Sequence, residues 1–252
     1  MRRVCKREGT TAYLSAAYGG RNLTASWIGA ITVEQYEIEQ ARSNMIEQQL
    51  RCWEVLNDRV LKVLGCVPRE CFVSKQYRNL AFADLEIRLG HGQSMMTPKV
   101  EGRMLQALNV QPTDRVLEIG TGSGFITACL ARLCREVESV DIFTDFTQCA
   151  QVRLAGLGLR NVNLSTGDGA CGWRQAERFN AIAVTGSLPE YRACFEQQLA
   201  IGGRLFAIVG ERPAMSAMHV VRTGEREYLR RRLFETDLAP LLSVKKMPVF
   251  TL

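Results

Sequence analysis

Three carboxylates and three glycines carry the chemistry this chain can do. Glu118 lies two residues ahead of a glycine turn, Gly120, Gly122 and Gly124, within R-V-L-E-I-G-T-G-S-G. Asp141 closes a second short strand, E-V-E-S-V-D, at roughly the 20-residue distance where an acidic group that bonds ribose hydroxyls is expected. Asp168, followed by Gly169, closes a third, in L-S-T-G-D-G. Glycines take positive φ and let a ligand approach the main chain. A helix start adds N–H groups with no partner inside the helix. Such a turn binds a small ligand, or it is an ordinary tight β-α connection.

The acidic residues narrow the ligand. A dinucleotide site has the spacing G-x-G-x-x-G, whereas this chain has G-x-G-x-G. Glu118 would repel a pyrophosphate and suits a ligand with a cationic end. S-adenosylmethionine, with its sulfonium and α-ammonium groups, is such a ligand. No Gly-Lys-Ser/Thr occurs, which excludes a P-loop.

The elements that must position these groups alternate. Strands are predicted at 115–119, 137–141, 162–165, 179–185 and 204–209, and helices at 124–134, 145–157 and 189–199. Strand–helix alternation means a parallel sheet with right-handed crossovers, whose ligands bind at the carboxyl ends of the strands. Residues 218–221 and 228–235 flank Thr223-Gly224-Glu225 and predict a final hairpin, with one strand antiparallel to the rest. Upstream, Ile46, Leu50 and Trp53 predict a helix over 34–56. A second is expected from Asp58, as N-cap, through Val60, Leu61 and Leu64 to Pro68. Thr97 then Pro98 reads as N-cap and first turn of a third helix through Val100, Met104 and Leu108.

V-L-E-I-G-T-G-S-G resembles the first motif of the class I S-adenosylmethionine-dependent methyltransferases. Further pieces are V-P-R-E-C-F-V (67–73), L-G-H-G-Q-S-M-M-T-P (89–98), N-V-N-L-S-T-G-D-G (161–169), Gly172-Trp173 and G-G-R-L (202–205). In that order, over roughly residues 45 to 210, they resemble the protein-L-isoaspartate O-methyltransferase family. The resemblance implies an α/β fold: a doubly wound, mostly parallel seven-stranded sheet, Rossmann-like, with N-terminal helices and a C-terminal antiparallel hairpin. It implies S-adenosyl-L-methionine as cofactor, with Glu118 toward its cationic end, Asp141 at the ribose and Asp168 at the adenine edge. Gly120, Gly122, Gly124 and Gly169 complete the cofactor-binding set. Trp173 is open between stacking near the adenine and packing.

The acceptor loop departs from the pattern. The family's G-Q-T-I-S-Q-P places its active-site serine at Met96, which has no hydroxyl. Ser94, or Thr97 if its hydroxyl is not consumed as a cap, is the candidate catalytic replacement. His91 is a possible polar contact, and Asn180, in place of the usual aspartate, keeps an acceptor. The implied reaction is methylation of an isoaspartyl carboxylate in damaged proteins. Such an acceptor is already ionised at neutral pH and needs no strong base. The alternatives are a same-fold methyltransferase acting on a small carboxylate, a phenol or RNA, and a non-catalytic binder of the cofactor.

Composition fits one domain: 46% hydrophobic residues and a formal charge of +6. Much of that charge lies in residues 1–30, where Arg2, Arg3, Lys6, Arg7 and Arg21 outnumber Glu8. Residues 1–30 read as an extraneous or disordered extension, and 31–252 as one methyltransferase domain. Within it, 31–110 holds the helices and acceptor loop, 111–210 the cofactor core, and 211–252 the last strands. Nine cysteines without a Cys-x-x-Cys read as buried thiols in a reducing compartment. With only His91 and His219, no histidine-rich metal site is expected. The expected partner is an isoaspartyl protein or peptide, with no membrane and no nucleic acid. The expected state is a cytoplasmic monomer.

Overall fold

A computed structural model describes residues 32–174 and 176–243. The fold is built outward from its central strand, β3 (Arg115–Ile119), which alternates its side chains between two apolar layers. Val116 packs into one layer, Leu117 and Ile119 into the other. A strand buried on both faces is rich in apolar residues, and in β3 only the buried Glu118 breaks the run from Val116 to Ile119. β3 pairs in parallel with β4 (Glu136–Asp141) and with β6 (Phe179–Leu188). Outside β4 lies β5 (Val162–Thr166), and outside β6 lie β7 (Leu199–Glu211), β8 (Ala214–Arg222) and β9 (Tyr228–Thr236). The order across the seven-stranded sheet is β5-β4-β3-β6-β7-β8-β9. Only β8 runs against the others. The doubly wound, mostly parallel sheet and its closing hairpin are as expected.

Helices cover both faces. α4 (Phe125–Leu133) and α5 (Thr144–Gly156) follow β3 and β4, and the short α6 (Ala193–Gln197) precedes β7. Three N-terminal helices, α1 (Val33–Asn44), α2 (Asp58–Cys66) and α3 (Pro98–Leu108), add to the larger layer, which runs from Met45 to Leu238. α3 begins at Thr97 with Pro98 in its first turn and stops at Asn109 in the left-handed region, φ 40°. A two-stranded hairpin, β1 (Ile87–Gly90) and β2 (Gln93–Met95), lies between α2 and α3.

Several expectations need correction. The helix over 34–56 is α-helical only to Asn44. It continues as a π-helix, Met45–Leu50, and a 3-10 turn, Arg51–Trp53, and ends where Glu54 turns left-handed at φ 58°. The N-cap of α2 is Asn57, not Asp58: its side-chain oxygen accepts from the N–H groups of Arg59 and Val60. The helix over 189–199 shrinks to α6 because β6 runs on to Leu188. There Ser187 pairs with the main chain of Ala239 and Leu241, prolonging the strand. Of the described cysteines only Cys129 is fully buried, while Cys52, Cys66, Cys149 and Cys171 are exposed. Residues 1–30, expected to be an extraneous or disordered extension, lie outside the described residues. Among the described residues no helix is long and apolar enough to cross a membrane, and no group of three or more His, Cys, Asp or Glu could hold a metal.

Candidate active site

The carboxyl ends of β3, β4, β5 and β6 open onto a cleft of about 600 Å³. The glycine turn forms its floor. Gly120 donates to the carbonyl of Val140 at 2.8 Å, locking β3 to β4 at the tip. Its φ is +100°, and a Cβ there would lie 2.3 Å from Thr185 Oγ1. Thr185, on β6, sets its hydroxyl 2.6 Å from the Gly120 carbonyl oxygen. Sequence reading missed Thr185, whose only signal was its place at the end of a strand beside β3.

Asp141 is 7% exposed and lines the cleft. Its Oδ2 accepts from the N–H of Gly122 at 2.8 Å, and its Oδ1 from that of Phe143 at 2.9 Å. Burial pushes its pKa up, against the pull of these N–H donors. Asp168 and Gly169 line the same cleft, and Asp168 Oδ1 accepts from the N–H of Ala170 at 2.9 Å. A Cβ on Gly169 would press on Val140 and Ile119 at 3.0 to 3.1 Å. Gly124 stands apart from the cleft. It is the N-cap of α4 at φ 85°, where a Cβ would meet that of Ala150 at 2.9 Å. Trp173 packs instead of lining the cleft: its ring lies against Gly167, and its indole N–H donates to Glu138 Oε1 at 3.1 Å.

Beside the turn lies a second, inner pocket, which shares Leu89, Ser94, Gly120, Gly122 and Thr185 with the cleft as lining. Glu118 lines this inner pocket and is fully buried. Its Oε2 accepts from the hydroxyls of Thr127 at 2.5 Å and Ser139 at 2.6 Å. Its Oε1 has no partner. Burial pushes the Glu118 carboxyl up to about 8; the two hydroxyls pull it back and Asp141 adds to the rise.

The acceptor loop forms the opposite wall. Ser94 lines both cavities, and its hydroxyl donates to Glu86 Oε2 at 2.6 Å. Thr97 holds the N-cap position, but its hydroxyl makes no capping bond. It is buried without a partner and lines neither cavity. Met96 is 4% exposed and lines the inner pocket. Its carbonyl accepts from Arg69 at 2.8 Å. Arg69, from V-P-R-E-C-F-V, is itself fully buried. It also donates to the Ala81 carbonyl at 2.7 Å, pairs with Glu101 of α3, and stacks 4.8 Å over the Phe125 ring. One guanidinium thus joins the acceptor loop to the residue that follows the glycine turn.

The tip of the β1–β2 hairpin reaches over the cleft. His91, at φ 52°, stacks on Phe143 with ring centroids 4.0 Å apart, and its Nε2 lies 2.9 Å from Asp145 Oδ2. This bond holds the Asp145 carboxyl below its usual range. Asn180 Oδ1 accepts from the N–H of Arg115 at 2.9 Å, the acceptor role expected of it.

The model of the family Protein-L-isoaspartate(D-aspartate) O-methyltransferase matches residues 40–246. The chain belongs to this family. A protein-L-isoaspartate O-methyltransferase of Koribacter versatilis is 34% identical over 201 residues, covering 80% of this chain and 90% of that protein. One from Anaeromyxobacter sp. is 42% identical over 166 residues, covering 66% and 78%. A Plasmodium falciparum structure of this family name, in complex with S-adenosyl-L-homocysteine, aligns with a TM-score of 0.67 at 18% identity. It covers 81% of this chain and 98% of that one, and shows the shared fold.

The residues present fit the cofactor of such a methyltransferase. The glycine positions leave no room for side chains, Asp141 sits at the mouth of the turn, and Glu118 keeps one buried oxygen free. Met96 lines the inner pocket and has no hydroxyl to offer there.

Proposed function

We propose that this chain uses S-adenosyl-L-methionine to methylate the carboxylate of L-isoaspartyl residues in damaged proteins. The observation that carries the reading is the cleft itself. Three successive strand tips place the glycine turn, Asp141 and Asp168 on one rim, with Glu118 behind them. Asp141 and Asp168 would hold the adenosine half of the cofactor and Glu118 would face its cationic end. Bound there, the cofactor supplies a methyl group made electrophilic by the adjoining sulfonium.

The acceptor carboxylate arrives ionised, so the chain has no proton to remove. Its task is to hold the nucleophile in line, and positioning of this kind lowers barriers by several kcal/mol, about 7 or more in favourable cases. Ser94 is the one acceptor-loop hydroxyl that faces both cavities, and it is the candidate to orient the acceptor. The methyl ester so formed would decay through a succinimide toward repaired aspartate. Met96 favours a second reading, the same transfer to a different acceptor.

Isotopic methyl transfer to an isoaspartyl peptide tests the first reading. A base-labile methyl ester is expected. Labelling of other extract components but not of the peptide would favour the second. We extend the proposal to a single domain over 31–252 that works as a cytoplasmic monomer and does not act on nucleic acid. Thiols exposed at Cys52, Cys66, Cys149 and Cys171 support a reducing compartment.

A further inference from the structure

Two buried carboxylates line the inner pocket, each with one oxygen that has no partner, and the family pattern accounts for only one of them. Glu118 Oε1 is the first. The second is Glu101 Oε1, on α3. Glu101 is 1% exposed, and both residues line the same pocket. Its Oε2 is taken by Arg69, whose remaining donors go to the carbonyls of Ala81 and Met96. Arg69 therefore has no donor directed at Oε1. The two carboxylates approach from different elements, β3 and α3, and both act on the buried thiol of Cys129 in α4, raising its pKa with burial.

A buried acceptor left unmade costs about 1–3 kcal/mol. Two of them in one pocket, with hydroxyl, main-chain and methionine neighbours, call for a ligand that brings several hydrogen-bond donors and a positive charge. A sulfonium has no N–H. An α-ammonium has three.

We infer that Glu101 is a second anchor for the α-ammonium group of the methyl donor, facing Glu118 across the inner pocket. The inference rests on the cofactor reading above and deepens it. Arg69 has a defined part: it fixes the Glu101 carboxylate by Oε2 and leaves Oε1 turned to the ligand. The sulfur and adenosine then lie toward the main cleft, which shares Leu89, Ser94, Gly120, Gly122 and Thr185 with the inner pocket as lining.

The test is calorimetric and needs no turnover. S-adenosylhomocysteine carries the ammonium; 5′-methylthioadenosine carries the adenosine half alone. In Glu101→Gln, Arg69 will draw the amide oxygen to itself and turn the NH2 toward the pocket, where it opposes an ammonium. The expected result is at least about tenfold weaker S-adenosylhomocysteine binding, the equivalent of one charge-assisted bond, with 5′-methylthioadenosine changed by less than about twofold. Should Glu101→Gln not fold, the double variant Arg69→Met/Glu101→Met removes the pair without stranding a charge and must show the same selective loss. Unchanged S-adenosylhomocysteine affinity, or equal losses for both ligands, overturns the inference. Wild-type protein that binds neither ligand overturns the cofactor reading itself.

Discussion

The two walls of the cleft are built by different means. On the cofactor wall the main chain does most of the holding: Gly120 to Val140, Gly122 and Phe143 to Asp141, and Ala170 to Asp168. Every partner comes from a strand tip or the turn that follows it. On the acceptor wall long side chains do the holding from distant segments: Arg69 to Met96, Ser94 to Glu86, His91 to Asp145. A wall fixed by backbone tolerates no change in its glycines but is indifferent to most side chains. A wall fixed by side chains can change its acceptor chemistry while the sheet beneath it stays as it is. That difference leaves the glycine turn independent of the side chain at Met96.

The largest expected effect is on the acceptor wall. Arg69→Met leaves Glu101 buried without a countercharge and removes donors from the carbonyls of Ala81 and Met96. Breaking a buried pair from one side costs about 3–5 kcal/mol. Chemical denaturation should show a loss of that size, and the double variant Arg69→Met/Glu101→Met should recover much of it. A loss under about 1 kcal/mol would mean that the acceptor wall does not depend on this cation.

On the cofactor wall, Gly120→Ala forces a Cβ to within 2.3 Å of Thr185 Oγ1 at a φ of +100°. The turn must shift, and a displacement of this kind costs roughly 100-fold in a positioned site. S-adenosylhomocysteine affinity measured by calorimetry should fall by that order. A near-normal affinity would contradict the claim that the main chain sets this wall.

The same contrast decides what was legible in the sequence. The sheet was readable because β3 and β6 are mostly apolar and β4 is a short strand that ends on Asp141, signals that are local. Glu118, Asp141 and Asp168 were readable because a ligand at strand tips needs them at set distances along the chain. Arg69 was not. Within V-P-R-E-C-F-V it marks a family, but its partners lie 12, 27 and 32 residues away, and no periodicity reports them. Thr97 misled for a related reason. Its place before Pro98 correctly sets the N-cap, yet its buried hydroxyl makes no bond to the helix N–H groups. The continuation of β6 to Leu188 depends on Ala239 and Leu241, some 50 residues on, which strand patterning cannot see.

Glu118 offers a sharper test of the cofactor wall. Its carboxyl is raised from about 4.5 unfolded to about 8 folded. Between those values the folded state holds the extra proton, so stability falls as pH rises from about 5 to 8. Below the unfolded value the contribution is fully present. A cation bound beside Glu118 favours the ionised form. Binding of S-adenosylhomocysteine at pH 7 should therefore release close to one proton, read from calorimetry in two buffers of different ionisation enthalpy. Glu118→Gln should remove its share of the release, leaving only what the Glu101 carboxyl, raised by burial to about 7, still gives up. No proton release in the wild-type protein would place the ligand's ammonium elsewhere.

Met96→Ser tests the acceptor wall alone. The side chain lines the inner pocket, while the carbonyl that Arg69 grips is retained. A new hydroxyl there should raise methyl transfer to an isoaspartyl peptide by roughly tenfold in kcat/KM, the size of one modest hydrogen bond. Cofactor affinity should move by less than about twofold. If affinity falls as far as activity rises, the two walls are not separable.

The smallest effect belongs to the hairpin tip, where the walls meet. His91 stacks on Phe143 and bonds Asp145, but both members of the pair are exposed, with side-chain exposures of 42% and 60%. Exposed pairs of this kind contribute little and are screened by salt. His91→Ala should therefore speed cofactor dissociation, measured by stopped-flow, by a factor of roughly five at most. Phe143 and Phe146 remain to line the cleft. Raising the ionic strength should narrow the gap between variant and wild type, because only the ionic part of the contact is screened. A gap that survives high salt would assign the contact to ring stacking, and the hairpin would then be held to the cofactor wall by apolar packing rather than charge.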